Sequence, residues 1–595
     1  MQPGDGLLDA EDAQLERRVF ATALVLLVTC AWPFVGDIPS RYLALTRALV
    51  EERGCAIDSF HADTPDKARR GGHYYLAAAP GPAFAAVPAY GVAWLLGGSV
   101  ILGLVLATLW VGVLPGALAF RGFYRLSGIA ARAPPPTPWR LGCVLALGAT
   151  CVTPLATVLY ASALSVACTV WAAVHACAYR RAVCDPAEGA SDPRRHMAWA
   201  GFLLAALVTC EYSAAPIALV GAGVLTAWAL RASRPADLAA FAAGVAGPAL
   251  ILAAYHTACF GAPWRTGYGF HANPGFAELL AKGVKGYQLP SLHTLYETSL
   301  GSARGLLPFA PPVLVGVLVA PRAWKREPRL VLLGLGLGGG YWLLNAMRVS
   351  DWYAGFSWGP RYQAHAVACW LLPLLALREP PRWAWRALCG CVALGGAVTA
   401  LGLGIRWRST LDASLLEVAT FGFQCKLSTL ALTGDPYYYP AELPSHTGAA
   451  LLLGLLAAGL VLAAWGGIWR AGKRGWLTLA GCWLALAVLA LIPWSRSMGR
   501  GQALRRDLLD REFLSFAVHY PGYANDVRAA EVSLALKRPH DAEWFARRAL
   551  EADAQGELAR LWLAVATDDR AALERLARGA QDAQVRARVS GALGR

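Results

Sequence analysis

Residues 17–37 read RRVFATALVLLVTCAWPFVGD. Two arginines precede an apolar run from Val19 to Val35, which ends at Gly36 and a carboxylate, Asp37. A bilayer core about 30 Å thick takes about 20 apolar residues in a helix, so the stretch predicts a first membrane span. Arg17 and Arg18 put its start in the cytoplasm by the positive-inside rule. No small-residue cleavage site follows, and the run reads as a retained span rather than a removed signal peptide. Asp37 then stands at the opposite membrane boundary.

Working outward, runs of the same kind recur as far as Trp494. Residues 99–120 make a full-length span, whereas 82–96 is short, contains Pro88 and reads as a re-entrant or interfacial segment. Further spans are expected near 141–160, 162–180, 197–212, 213–231, 236–258, 306–320, 330–346, 363–378, 385–405, 448–469 and 475–494. The fold class is all-α: a polytopic transmembrane helical bundle of about thirteen spans over residues 1–494. Loops then sort by chemistry. One set is short and basic, for example Arg180, Arg181, Arg194 and Arg195, or Arg322, Lys325, Arg326 and Arg329. The other set, 37–80, 259–305, 347–362 and 406–447, is long and aromatic with mixed charge. The sorting places the second set outside the cytoplasm.

Composition agrees. Of 595 residues 56% are hydrophobic and only 16% charged, with mean hydropathy +0.41, against about 25% charged in soluble domains. That excludes a soluble enzyme, a disordered scaffold and a nucleic-acid module. The net charge of +15 is what basic cytoplasmic loops produce. Arg outnumbers Lys and Ala is abundant, as in GC-rich bacterial genomes, so a bacterial inner membrane is the expected location. The 14 cysteines show no CxxC spacing; Cys55 and Cys425 fall in loops expected outside, where a disulfide is permitted. An odd number of spans leaves residues 495–595 outside as well. This charged tail has helical periodicity at Asp526–Lys537, Asp541–Ala552, Glu557–Ala566 and Arg570–Ala577, which reads first as a small helical cap on the outer face and second as one or two tetratricopeptide-type repeats.

The first outer loop carries the densest chemistry. Ser40 is placed to cap a helix from Arg41 to Arg53 that Gly54 stops, with Tyr42, Leu45 and Leu49 on one face, lying in the membrane interface. Asp58, His61, Asp63 and Asp66 follow, then Gly72-His73-Tyr74-Tyr75 and Pro80-Gly81-Pro82. Asp37 alone reads equally as an interfacial carboxylate paired with Arg41, and His73 as a surface hydrogen-bonder. Asp63 and Asp66 read as solvated or acceptor-binding. Glu211, near the end of a span, is either an intramembrane functional group or a cap on the next helix. Trp264, Tyr268, His271 and Tyr287 either stack on sugar rings or anchor the central loop at the headgroups. No metal-ligand spacing is present.

An acidic residue just past the first span, an interfacial helix and a G-x-Y-Y…P-x-P element resemble the GT-C glycosyltransferases, closest to the protein O-mannosyltransferase and aminoarabinose-transferase branch. Phe260-Gly261-Ala262-Pro263 with Arg304 and Gly305-Leu306-Leu307-Pro308 looks like that branch's central outer loop and its return. Trp352, Gly355 and Trp358-Gly359-Pro360-Arg361-Tyr362 look like its W-x-G-x-x-x-G-P-R-Y element. Ile38 stands where members often have a second acidic residue, and Ala79 where a Lys commonly precedes the Pro pair.

The resemblance, which covers about residues 19–370, implies transfer of a sugar from a polyprenyl-phosphate donor to an extracytoplasmic protein, lipid or glycan acceptor. It implies Asp37 as general base, with Arg41, His73, Tyr74, Tyr75, Arg304, Trp358 and Arg361 binding substrate. Arg361 and Arg304 are the expected partners of the lipid phosphate, because a guanidinium fork matches phosphate oxygens. A divalent metal stays open but is not indicated. Two other readings compete: a transporter or flippase for a lipid-linked or anionic substrate, and a non-catalytic scaffold whose tail binds partners.

Overall fold

The computed structural model describes residues 10–404, apart from 32–36, 65, 98–99, 132, 185–191, 273, 302–303, 350 and 354–356, and residues 523–593 apart from 536. The chain divides into two compact units, Met1–Leu491 and Ile492–Arg595. Helices α1 (Ala10–Thr29) and α2 (Asp37–Arg47) open the first unit, followed by a hairpin of β1 (Lys67–Arg70) and β2 (His73–Leu76). Then come α3 (Gly81–Leu95), α4 (Val100–Thr108), α5 (Leu114–Ile129), α6 (Thr137–Gly148), α7 (Val152–Leu155), α8 (Ala161–Cys184) and α9 (Pro193–Cys210). After these are α10 (Ala215–Arg231), α11 (Pro235–Phe260), α12 (Pro274–Ala281), α13 (Leu292–Ser299), α14 (Leu306–Phe309) and α15 (Pro312–Trp324). The unit's described part closes with α16 (Pro328–Ala346), α17 (Ala364–Trp370), α18 (Leu372–Leu375) and α19 (Arg382–Gly404).

Among the described residues five helices are long and apolar enough to cross a membrane, by length and composition: Leu102–Ile129, Ala161–Cys184, Tyr212–Arg231, Pro235–Phe260 and Arg382–Ala400. The first is α4 and α5 joined through a π-helical turn, Leu109–Val113. Helices α10 and α11 leave apolar side chains such as Leu219, Leu250 and Ile251 exposed, as helices facing lipid do and as soluble surfaces rarely tolerate. The expected spans at 448–469 and 475–494 lie outside the described residues.

Three expected spans are broken helices. Residues 141–160 split into α6 and α7 because the backbone N–H of Cys151 donates to the Phe309 carbonyl (2.9 Å) instead of continuing the helix. Residues 306–320 split into α14 and α15 at Pro311-Pro312, and 363–378 into α17 and α18 just before Pro373, where the missing N–H interrupts the ladder. Helix α3 has 15 residues, short for a span, and packs along α4 after a turn in which Gly97 has φ +67°.

Small residues let helices close in. A Cβ on Gly244 of α11 would lie 2.0 Å from the Ala198 carbonyl of α9, and one on Gly201 of α9 would lie 2.3 Å from the Phe241 carbonyl. Such approach is how helices associate where no hydrophobic drive from water exists.

Polar networks gather at the two ends of the bundle. At one end Asp12 accepts from Tyr124 (2.8 Å) and Arg140 (2.8 Å), and Glu16 pairs with Arg121 (2.7 Å). Arg181 donates to the Ala131 carbonyl, and Asp237 pairs with Arg234 (2.6 Å). This end carries the short basic loops. Helix α1 reaches it because it begins at Ala10, before the apolar run, and supplies the two acids.

The helix after the first span differs from expectation. It starts at Asp37 rather than Arg41, since Pro39 in the first turn needs no N–H partner. Beyond Arg47 it continues as a π-helical turn, Ala48–Glu52, and ends where Arg53 takes φ +53° and Gly54 N–H donates to the Ala48 carbonyl (3.1 Å). Residues 38–46 are buried throughout, so protein encloses this helix instead of lipid headgroups lying against one face.

The described part of the second unit holds α20 (Tyr523–Ala535), α21 (Pro539–Ala552), α22 (Glu557–Ala566), α23 (Arg570–Gly579) and α24 (Ala583–Leu593), each packed on the next. Ala529, Ala530, Phe545 and Ala546 form one core cluster; Leu561, Leu573, Val585 and Val589 form another. The periodicity anticipates the first four helices. In the fifth the fully buried residues among the described side chains are Val585 and Val589, too thin a stripe to read alone.

Candidate functional site

The end of the bundle opposite the basic loops gathers three sets of ionisable groups. Helix α2 presents the first. Arg41, with 9% of its side chain exposed, pairs with Asp66 and donates to the Tyr42 hydroxyl (2.8 Å). The other oxygen of Asp66 lies 3.1 Å from His271 Nε2, and an isolated bridge joins Ala68 to His271. Burial alone would raise the Asp66 carboxyl, but Arg41 and His271 outweigh it and hold the group well below the usual range. The first and central loops are therefore locked together around one carboxylate.

The second set follows α16. Arg348 pairs with Asp351 (2.9 Å), which also accepts from the Tyr362 hydroxyl (2.7 Å). The Arg348 guanidinium lies 4.0 Å from the Tyr362 ring centroid. Arg361 enters from the turn after Gly359, whose φ is +73°. Its guanidinium lies 5.7 Å from the Tyr160 ring and 5.2 Å from the Tyr362 ring. Arg361 Nε is buried with no hydrogen-bond partner, and no ion pair is recorded for it among the described residues.

The third set surrounds Glu211 at the junction of α9 and α10. Ser213 donates to Glu211 Oε1 (2.9 Å), and the Tyr341 hydroxyl donates to Ser213 (2.8 Å). Tyr341 stands edge-on to His365, with ring centroids 4.3 Å apart. Tyr212 donates or accepts at His256 Nε2 (2.7 Å) and packs on Tyr268.

Tyr42 connects the three sets, because its phenol lies within the electrostatic reach of Arg41, Glu211 and Arg361. Burial pushes that phenol up, partly offset by Arg41. Tyr268 is pushed up by burial and by the charges of Glu211 and Asp66. The result is a cluster of three arginines, three carboxylates and several tyrosines, drawn from α2, the first and central loops, the α9–α10 junction and the segment after α16. Such a site suits a ligand that is anionic at one end and rich in hydroxyls at the other.

The expected site residues divide. Arg41 and Arg361 both lie within the electrostatic reach of the Tyr42 phenol. Asp37 opens α2, one turn before Arg41; its side chain lies outside the described residues. His73, Tyr74 and Tyr75 sit on the hairpin: His73 is exposed and pairs with Asp58 (2.6 Å), Tyr74 stacks on His61 (4.1 Å), and Tyr75 packs on Phe260 (5.8 Å).

Arg304 is 1% exposed and its Nε donates to the Tyr353 carbonyl (2.8 Å), so it braces the loop's return. Trp358 is likewise 1% exposed, packed edge-on to Phe309 (5.5 Å) and against Gly402 of α19. It shapes the turn that carries Arg361. Asp66 is neither solvated nor free for an acceptor, because the salt bridge occupies it.

Arg348 and Asp351, absent from the expected site residues, carry a sequence signal, an i,i+3 charge pair in the aromatic loop 347–362. Tyr42 and Tyr341 had none, being indistinguishable from packing aromatics. Among the described residues no group of three or more His, Cys, Asp and Glu is arranged to hold a metal ion. Comparison of the chain with family models, with curated proteins and with solved structures gives no match.

Proposed function

We propose that this protein is a membrane glycosyltransferase that moves a sugar from a polyprenyl-phosphate donor to a hydroxyl-bearing acceptor outside the cytoplasm. The observation that carries the reading is Arg361, a guanidinium with a buried, unpartnered Nε, within reach of Arg41 and Glu211 through Tyr42. A phosphate leaving group supplies the missing acceptor oxygens and gains from a partly dry surrounding.

An acceptor hydroxyl is a weak nucleophile at neutral pH, so a carboxylate must take its proton as the glycosidic bond breaks. Asp37, one turn from Arg41 at the membrane boundary, is the first choice for that base. Glu211 is the second, since Ser213 and the tyrosines orient it without an arginine paired to it among the described hydrogen bonds and ion pairs. Tyr268 and Tyr212 offer faces and hydroxyls for a sugar ring.

The test is glycan and glycolipid profiling of cells with the gene, without it, and with Arg361→Gln. The expected result is loss of one sugar modification in the deletion and in the variant, with the polyprenyl-phosphate sugar accumulating. Unchanged profiles would overturn the reading. A transport reading draws on His365, which is buried beside Tyr341 inside the bundle and is the kind of intramembrane ionisable group that transporters use. Donor flipping by the protein in vesicles, without transfer, would favour it.

A further inference from the structure

Two cysteines meet beside this site. Cys55 follows Gly54 at the exit of the π-helical turn, and Cys259 lies in the last turn of α11. Both flank strand β2: Ile57 N–H donates to the Tyr74 carbonyl, the Tyr75 ring packs on Phe260 (5.8 Å), and each thiol lies in the electrostatic reach of the other and of the Tyr75 phenol. The backbone is tied down on each side of the pair. Gly54 N–H donates to the Ala48 carbonyl (3.1 Å), and Ile57 N–H to the Tyr74 carbonyl (2.8 Å). Arg70 Nη1 donates to the Cys259 carbonyl (3.3 Å), and Gly261 N–H closes the helix on Thr257 (2.9 Å). Gly261, with φ +80°, turns the chain sharply just after Cys259. Cys259 is buried, while Cys55 is half-buried and open to attack from solution.

We propose that Cys55 and Cys259 are the two halves of a disulfide in the mature protein, a covalent staple between the first loop and the end of α11. The bond forms by exchange with an extracytoplasmic dithiol–disulfide oxidant. The Cys55 thiolate attacks the oxidant's disulfide and gives a mixed disulfide. The Cys259 thiolate then displaces the oxidant's remaining sulfur. Two thiols lose two electrons and two protons, and the oxidant's disulfide becomes two thiols. The adjacent thiol draws Cys55 down to about 7, which makes it the attacking sulfur at neutral pH. The staple joins the segment that carries Arg41 and Asp66 to the one that leads into His271, so it holds the frame of the site whatever reaction occurs there.

The full-length protein, made in cells whose extracytoplasmic compartment is oxidising, is trapped in acid and alkylated with N-ethylmaleimide. It is then digested and read by mass spectrometry before and after reduction with a phosphine. The expected result is a peptide pair linked through Cys55 and Cys259 in the unreduced digest, replaced after reduction by two newly alkylated thiols. Full alkylation of both without reduction overturns the proposal, as does a link from Cys55 to Cys425 or to any other cysteine. A second measurement follows amide hydrogen exchange in the hairpin, Lys67–Leu76. Reduction of the wild type should speed exchange there several-fold and should not do so in Cys55→Ser/Cys259→Ser; equal acceleration in both overturns the staple's role. Neither readout involves sugar transfer, so loss of the glycosyltransferase reading would leave this one standing.

Discussion

His271 and Asp66 meet at 3.1 Å between Nε2 and Oδ1, on the far side of the carboxylate from Arg41. One acidic side chain therefore decides how the first and central loops lie against α2, and the position of Arg41 follows from it.

Replacing Asp66 with Asn should destabilise the first unit by about 3–5 kcal/mol, because it leaves the Arg41 charge buried without its partner. The double change Arg41→Met with Asp66→Leu should cost less than the two single changes summed, as measured by thermal unfolding in detergent. The pH dependence has a definite sign. The folded carboxyl titrates below its unfolded value of about 3.9, so its contribution is complete above that value and drains away as pH falls toward the folded pKa. Wild type should lose stability more steeply than Asp66→Asn between about pH 4 and pH 2.

Arg361→Gln should leave the unfolding temperature nearly unchanged, since no ion pair is broken, yet reduce transfer about 10- to 100-fold. That is the worth of a charge-assisted hydrogen bond of about 1.5–3 kcal/mol to the phosphate. His73→Ala, on an exposed pair with Asp58, should leave both stability and transfer close to wild type. Transfer rates measured with saturating acceptor distinguish the two.

For the base, Asp37→Asn should lower transfer about 10²- to 10⁴-fold with insertion intact. Glu211→Gln keeps the side chain's shape and its oxygen toward Ser213. A loss of that size in Glu211→Gln, with Asp37→Asn active, would move the base from the first loop to the α9–α10 junction.

At the crossing of α9 and α11, Gly244→Val should reduce stability by about 1–3 kcal/mol or block assembly, because the new side chain meets the Ala198 carbonyl. Gly223→Val, in α10 with nothing within 4 Å of its Cβ, should be tolerated. Yield and unfolding temperature after purification read both. Equal damage by the two would mean that the close approach of α9 and α11 is not what Gly244 serves.

Hydrophobic run length and loop charge were enough to read a helical membrane protein and the separation of basic loops from aromatic ones, since both follow from solvent transfer alone. The long spans at α8, α10, α11 and α19 were legible for that reason, as were four helices of the second unit from their 3.6-residue periodicity. Breaks inside apolar runs were not legible. Cys151 leaves its helix because Phe309 offers its N–H a partner from a distant segment, and no local pattern records that.

The site followed the same division. Sequence order singled out Arg361 and Arg304, with Arg41 third, as residues whose type and position near a boundary suit a phosphate, and added Trp358. Arg304 and Trp358 are instead buried, Arg304 against the Tyr353 carbonyl and Trp358 against Phe309. Sequence order could not tell a tyrosine that packs from one that faces a carboxylate, and so passed over Tyr42 and Tyr341. Pairing is a property of space: Asp66 looked solvated until Arg41 and His271 were beside it. What the chain alone determined was where apolar length and charge lie along it, because transfer from water is additive over neighbours in sequence. Which charge meets which was decided only by the tertiary structure, because Coulomb and hydrogen-bond energies depend on distances of a few ångströms that packing sets.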